Sequence, residues 1–158
     1  MRALDQPSTR GFASFPPPTL AWRLWYLGWR HGSLDPDPDL PVFVSLTDFH
    51  FHAPRHAPGA WRTGLRLRRS WPRLEGAIGL WLWSEPIRLR SGSVSIWRSE
   101  EDLTRFICSP VHRTIVRECR SRMSGTSHGW TAPRFDRPAI WTRAVAELMS
   151  AQTGARSR

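Results

Sequence analysis

The chain has 158 residues, enough for one domain, or one domain with an arm, to bury a core without disulfides or metals. Hydrophobic residues make up 40% and ten residues are Trp, which excludes a disordered polyelectrolyte. The net charge is +10, all 23 basic residues are Arg, and neither Lys nor Asn occurs. Both absent types use AT-rich codons, so genome composition accounts for the bias and leaves nucleic acid a minor alternative as partner. The charge is also uneven. Residues 1–40 hold four Arg and four Asp, so the whole excess lies in 41–158.

The first residues contain no apolar stretch leading to a cleavage site, and the longest apolar-aromatic run, 20–29, is too short to span a bilayer. A cytoplasmic protein without a membrane span is expected. Cys108 and Cys119, eleven residues apart, would lie about 16 Å apart on one helix, too far for a disulfide, so buried free thiols are expected.

Three segments follow from the sequence: an N-terminal Pro/Trp-rich arm with a short helix and linker (1–40), a folded domain (41–150) and a frayed tail (151–158). Pro16, Pro17 and Pro18 read as an extended arm. Trp22, Trp25 and Trp29 then stand at helical spacing, which predicts a helix over about 20–30. The alternating Asp and Pro of 35–39 read as the linker. Strands are predicted over 41–51, 76–84, 93–98 and 128–132, and a helix over 59–71.

Ser99 with the acids at 100–102 has the form of a capping box opening a second helix. Ser109-Pro110 interrupts that helix and restarts it, and 121–127 reads as a loop. Asp136 caps a last helix with Ile140, Trp141, Ala144, Val145 and Leu148 as its apolar stripe. The order is β-α-β-β-α-β, an α+β ferredoxin-like arrangement with extra N- and C-terminal helices. Two helices cover one sheet face and leave the other bare, and a bare apolar face calls for a second copy of the chain.

Three stretches, GAIGLWLW (76–83), GSVSIWRSEEDL (92–103) and FICSPVH (106–112), resemble the dimeric α/β-barrel superfamily. Within it they are most similar to the spheroidene-monooxygenase-like and antibiotic-biosynthesis-monooxygenase-like families, over about 41–132. The strand end DFHF (48–51) resembles the spheroidene branch. The resemblance implies a homodimer with a pocket in each subunit. It also implies a hydrophobic small-molecule substrate, polyketide or isoprenoid, met by haem-dependent oxygenases, cofactor-free oxygenases, cyclases or isomerases. The absence of Asn argues against an Asn-dependent haem-degrading or quinol-oxidising site.

Candidate site residues follow. A helix N-terminus disfavours imidazolium, so His112 is placed to serve as haem ligand or general base, or simply to bond across the helix break. His50 is a candidate polar or acid-base group of the pocket. A metal site built on His50 and His52 has no second ligand cluster to complete it. Trp81, Trp83 and Trp97 are candidates for an aromatic wall, with ordinary core packing as the competing reading. Arg98 is a candidate substrate contact. Arg66, Arg68, Arg69 and Arg73 form either a solvated helix face or an anion anchor. No phosphate loop, nucleophile elbow or dinucleotide fingerprint occurs. A cofactor-free cyclase or isomerase, and a non-catalytic binding or assembly module, remain the alternatives to an oxygenase.

Overall fold

The computed structural model describes residues 24–155. Its strands are β1 (Trp25–His31), β2 (Val42–Phe51), β3 (Ala77–Glu85), β4 (Arg90–Trp97) and β5 (Met123–Ala132). The helices are α1 (Ala57–Ser70), α2 (Glu100–Ile107), α3 (Pro110–Cys119) and α4 (Arg137–Ala155). One antiparallel sheet runs β1-β3-β4-β2-β5. Without β1, that order interleaves two split β-α-β units, the ferredoxin-like arrangement.

The expected helix starts form as the residues dictate. Ser99 Oγ accepts from the Asp102 amide at 3.3 Å, Ser109 Oγ from His112 at 3.2 Å, and Asp136 Oδ1 from Ala139 at 3.0 Å. Each satisfies an amide that the first helical turn leaves without a backbone partner. The helix does break at Ser109-Pro110, because Pro fits the first turn of a helix and not its interior.

Two expectations are corrected. The aromatic stretch predicted as a helix over 20–30 is strand β1 over its described part, paired with β3 on the sheet edge. Aromatic side chains favour a pleated surface, and three Trp at helical spacing are too few to outweigh pairing with a long neighbour. Gly79 makes the packing possible: a Cβ there would fall 1.7 Å from the Trp29 ring, which crosses β3 at this point and stacks on Trp81. Proline-rich residues 1–18 lie outside the described residues.

The loop expected over 121–127 is mostly strand. β5 begins at Met123 opposite Phe51 and stays in register with β2 to Ala132. Its Ser and Gly content conceals this, since ten consecutive partners on β2 supply what local propensity lacks. The last helix runs to Ala155.

The sheet has two unlike faces. Val42, Val44 and Leu46 of β2 join Trp81, Trp83, Val94, Ile96 and Trp130 beneath Ile140, Trp141, Ala144 and Leu148 of α4. The face expected to be bare is therefore covered by the chain's own C-terminal helix, and it no longer calls for a second copy. Alternate residues face the other way, where Leu80 and Trp97 pack with Trp71, Leu67, Leu103 and Phe106. Both Cys are free: Cys108, which is exposed, follows the last residue of α2, and Cys119 ends α3. No described helix is long and apolar enough to cross a membrane.

Candidate active site

Between the second sheet face and helices α2 and α3 lies a cleft of about 840 Å³. Its floor repeats every second residue on two strands, Phe43, Ser45, Thr47 and Phe49 of β2 and Ser93 and Ser95 of β4, while the edge strand β5 borders it continuously from Gly125 to Thr131. That period is the strand's own. The Phe rings fit because β5 offers glycine beside them: a Cβ at Gly125, opposite Phe49, would lie 2.2 Å from that ring, and one at Gly129, opposite Ser45, 2.7 Å from Phe43. The roof is apolar, from Leu103, Phe106 and Ile107 of α2 and Ile115 and Val116 of α3.

Of the site residues expected from the sequence, His112 alone lines this cleft. Its position follows from the helix break, whose Ser109 cap fixes its amide. The His112 ring stands edge-on to Phe106, centroids 5.2 Å apart, and its Nδ1 bonds the Ile107 carbonyl at 3.1 Å. A carbonyl only accepts, so Nδ1 carries the proton and, in the neutral ring, Nε2 carries the lone pair. Burial pushes the His112 pKa below its ordinary value of 6.5, against the opposing pull of the Ile107 carbonyl. The cleft thus contains a neutral, oriented proton acceptor. Glu100 and His128 are the other ionisable side chains of its lining.

The remaining candidates lie elsewhere. His50 is exposed at the end of β2, on the same side as Val44 and Leu46, hence opposite the cleft. A one-residue step in a strand reverses the face, and His50 falls on the wrong parity. Trp81 and Trp83 are buried in the α4 face, and Trp83 Nε1 donates to the Thr47 carbonyl at 3.2 Å. Trp97 lies on the cleft side, yet it is 0% exposed, stacked against Trp71 and Phe106. Its Nε1 donates to Ser95 Oγ at 3.0 Å beneath the floor. The three Trp therefore form no common wall; the core reading holds for each of them.

Arg98 does not reach the cleft either. Its guanidinium grips Asp102 with two bonds of 2.8 and 2.9 Å. Asp102 is 1% exposed, and burial pulls its pKa up, but the bonds from Arg98 and Arg105 outweigh that and hold it below the ordinary carboxylate value. Arg98 thus secures the start of α2. In the Arg-rich cluster, Arg66 bonds Glu118 and so ties α1 to α3, while Arg68 donates to the Gly28 carbonyl at 2.9 Å; Arg69 and Arg73 are not buried.

Sequence reasoning passed over most of the floor. The available signal was small hydroxyl and glycine residues at every second position of β2, β4 and β5, a pattern that fits neither a core face nor a plain solvent face. Trp71, which the sequence groups with the Arg cluster, is instead fully buried and borders the cleft, and its indole N–H has no partner among the described residues.

Haem is one cofactor the resemblance implies. With Nδ1 fixed and Nε2 free, His112 would be the residue to hold such a group. The rest of the lining does not match: no Arg among the described lining residues is placed to receive two propionates, and Glu100 adds negative charge. The side chains present suit an uncharged, flat, apolar ligand better than an anionic porphyrin. No group of His, Cys, Asp and Glu able to hold a metal occurs among the described residues.

No family model and no curated protein sequence matches the chain. Solved structures do match. A candidate antibiotic biosynthesis monooxygenase from Caulobacter crescentus CB15 aligns with a TM-score of 0.51 at 11% identity, covering 62% of this chain and 93% of the other. A candidate monooxygenase from Lactobacillus acidophilus NCFM aligns at 0.50 and 8% identity, over 61% and 45%. SnoaB, a cofactor-independent oxygenase from Streptomyces nogalater, aligns at 0.49 and 18% identity, over 61% and 97%. At such identities the likeness is one of fold. This chain has the ferredoxin-like α+β fold of antibiotic biosynthesis monooxygenase-like proteins.

Proposed function

We propose that the protein is a monooxygenase-like enzyme that oxidises a flat, apolar metabolite in the cleft, with His112 as general base and dioxygen as oxidant. One observation carries this reading: a neutral imidazole, its Nδ1–H fixed on the Ile107 carbonyl, borders a cleft with an apolar roof and a hydroxyl floor. A volume of about 840 Å³ falls in the range of small-molecule sites.

The chemistry needs a substrate with an acidic C–H or O–H, such as a fused-ring phenol with an activated methylene. His112 Nε2 takes the proton. The resulting carbanion adds to dioxygen, a hydroperoxide forms with the proton returned from His112, and loss of water leaves a carbonyl. A methylene and one dioxygen thus become a carbonyl and one water. The unmatched lining for haem favours the cofactor-free form of this reaction.

The same base without oxygen would serve an isomerase or cyclase, so the decisive measurement is dioxygen uptake on a panel of fused-ring phenols. Uptake of one dioxygen per substrate, cut by about 10²–10⁴-fold in His112→Gln, is the expected result. Turnover that continues anaerobically would transfer the site to the isomerase or cyclase class. Activity untouched by His112→Gln would sink the assignment of the base. Because α4 occupies the face once expected to receive a second copy, a homodimer would have to form on another surface.

A further inference from the structure

We propose that the cleft continues into an apolar annex that takes a short, unbranched alkyl substituent of the ligand, with Gly64 keeping the annex open. This rests on the cleft being a ligand site. The annex, of about 100 Å³, lies between α1 and the strands, walled by Phe51, Trp61, Leu82, Cys119 and Met123. Its border with the cleft is formed by Thr47, Phe49 and Ser93 from the floor and Leu67 and Ile115 from the roof. Contributions from floor and roof alike describe a neck.

Two facts set the chemistry of the occupant. Among the described residues no charged side chain lines the annex, and every hydroxyl in it is already engaged within the protein. Ser91 Oγ donates to the Trp83 carbonyl at 2.8 Å, and Thr47 and Ser93 bond each other at 2.9 Å. Thr63 Oγ1 is within bonding distance of Glu118 and the Gly59 carbonyl, at 3.0 and 3.2 Å. Water would find few partners, whereas an apolar group needs none. Apolar cavities of about 150 Å³ hold benzene, so this smaller one suits a chain of about three or four carbons. Burial likewise pushes the Cys119 thiol pKa up, helped by the charge of Glu118.

Gly64 supplies the independent observation. It sits in the middle of α1, its φ is not positive, and glycine weakens a helix interior. A Cβ there would meet only Leu82 Cδ1, at an ordinary 3.4 Å. Neither backbone nor packing requires glycine, and what its missing side chain leaves behind is space in the annex wall.

The test is calorimetric titration of the full chain with 2-naphthol carrying unbranched alkyl groups of zero to six carbons. Affinity should rise about fourfold per carbon through the third or fourth and then level off. Gly64→Met, whose flexible side chain can fill the annex, should abolish that rise while leaving the affinity for unsubstituted naphthol unchanged. Gly64→Ala should raise the thermal midpoint by about 1–4 °C and shorten the rise by about one carbon. Naphthol that binds with no dependence on chain length, or a rise that survives Gly64→Met, overturns the annex and leaves the cleft standing. If unsubstituted naphthol does not bind, the cleft reading falls and takes the annex with it.

Discussion

The two faces of one sheet are built from alternate residues of the same strands, yet they are put to opposite uses. On the α4 face Val44, Val94 and Ile96 are 0% exposed, and Trp81 and Trp83 are nearly so. Arginines help close this face from its borders. Arg143 lies 4.6 Å over the Trp130 ring and Arg137 5.3 Å over Trp29. Arg90, itself 3% exposed, joins Asp48 to Glu85 and donates to the Leu148 carbonyl of α4. On the cleft face the same strands present Ser, Thr and Gly, and β5 is exposed from Ser124 to Gly129. The first face is closed by α4, whereas the second has a core around Trp71, Leu80 and Trp97 and a cleft over β2 and β5.

This contrast can be broken from either side. The largest effects belong to the α4 face. Trp141→Ala opens a cavity under α4 and should cost about 3–5 kcal/mol in urea unfolding, while leaving every residue of the cleft in place. Arg90→Met leaves the buried Glu85 with Arg88 as its cation and the partly buried Asp48 without its cation, and should cost about 3 kcal/mol. If either variant unfolds at the wild-type urea midpoint, α4 is not what secures the sheet.

On the cleft face the expected order reverses. His112→Gln should lose about 10²–10⁴-fold in activity. It should shift stability by less than about 1 kcal/mol, in the range of half-exposed polar substitutions. Between these extremes, Ser99→Ala removes the cap of α2 and should cost about 1 kcal/mol.

The smallest effect is a pH dependence. With its pKa lowered in the folded state, His112 binds fewer protons there than in the unfolded chain just below pH 6.5. Its contribution is therefore complete above 6.5 and lost as pH falls from 6.5 through the folded value. The difference in urea midpoint between wild type and His112→Gln should accordingly change below pH 6.5 and stay constant above it. The acid limb of the activity profile should lie below 6.5 as well. A limb at or above that value would mean that His112 is not held neutral by burial.

Local chemistry made much of the molecule legible in advance. The caps at Ser99, Ser109 and Asp136, the break before Pro110 and the stripe of α4 each depend on residues within a turn or two of one another. His112 was found the same way, because a helix break states where its first turn lies. The aromatic wall was misread for a physical reason. Trp81, Trp83 and Trp97 are close in sequence and share a residue type, but facing is settled by strand parity and by the bulge between Ala77 and Gly79. A one-residue slip sends a side chain to the opposite face. His50 failed on parity alone.

The sequence by itself determined the α+β class, the β-α-β-β-α-β order, three capped helix starts and a histidine at one of them. Those depend on short-range hydrogen bonds and hydrophobic period, which a chain carries before it folds. Tertiary structure alone decided that β1 is a strand, that β5 spans ten residues, that α4 closes the second face and that the cleft has a hydroxyl floor. Each of these depends on a partner tens of residues away, whose pairing outweighs local propensity and assigns every strand residue to one face or the other.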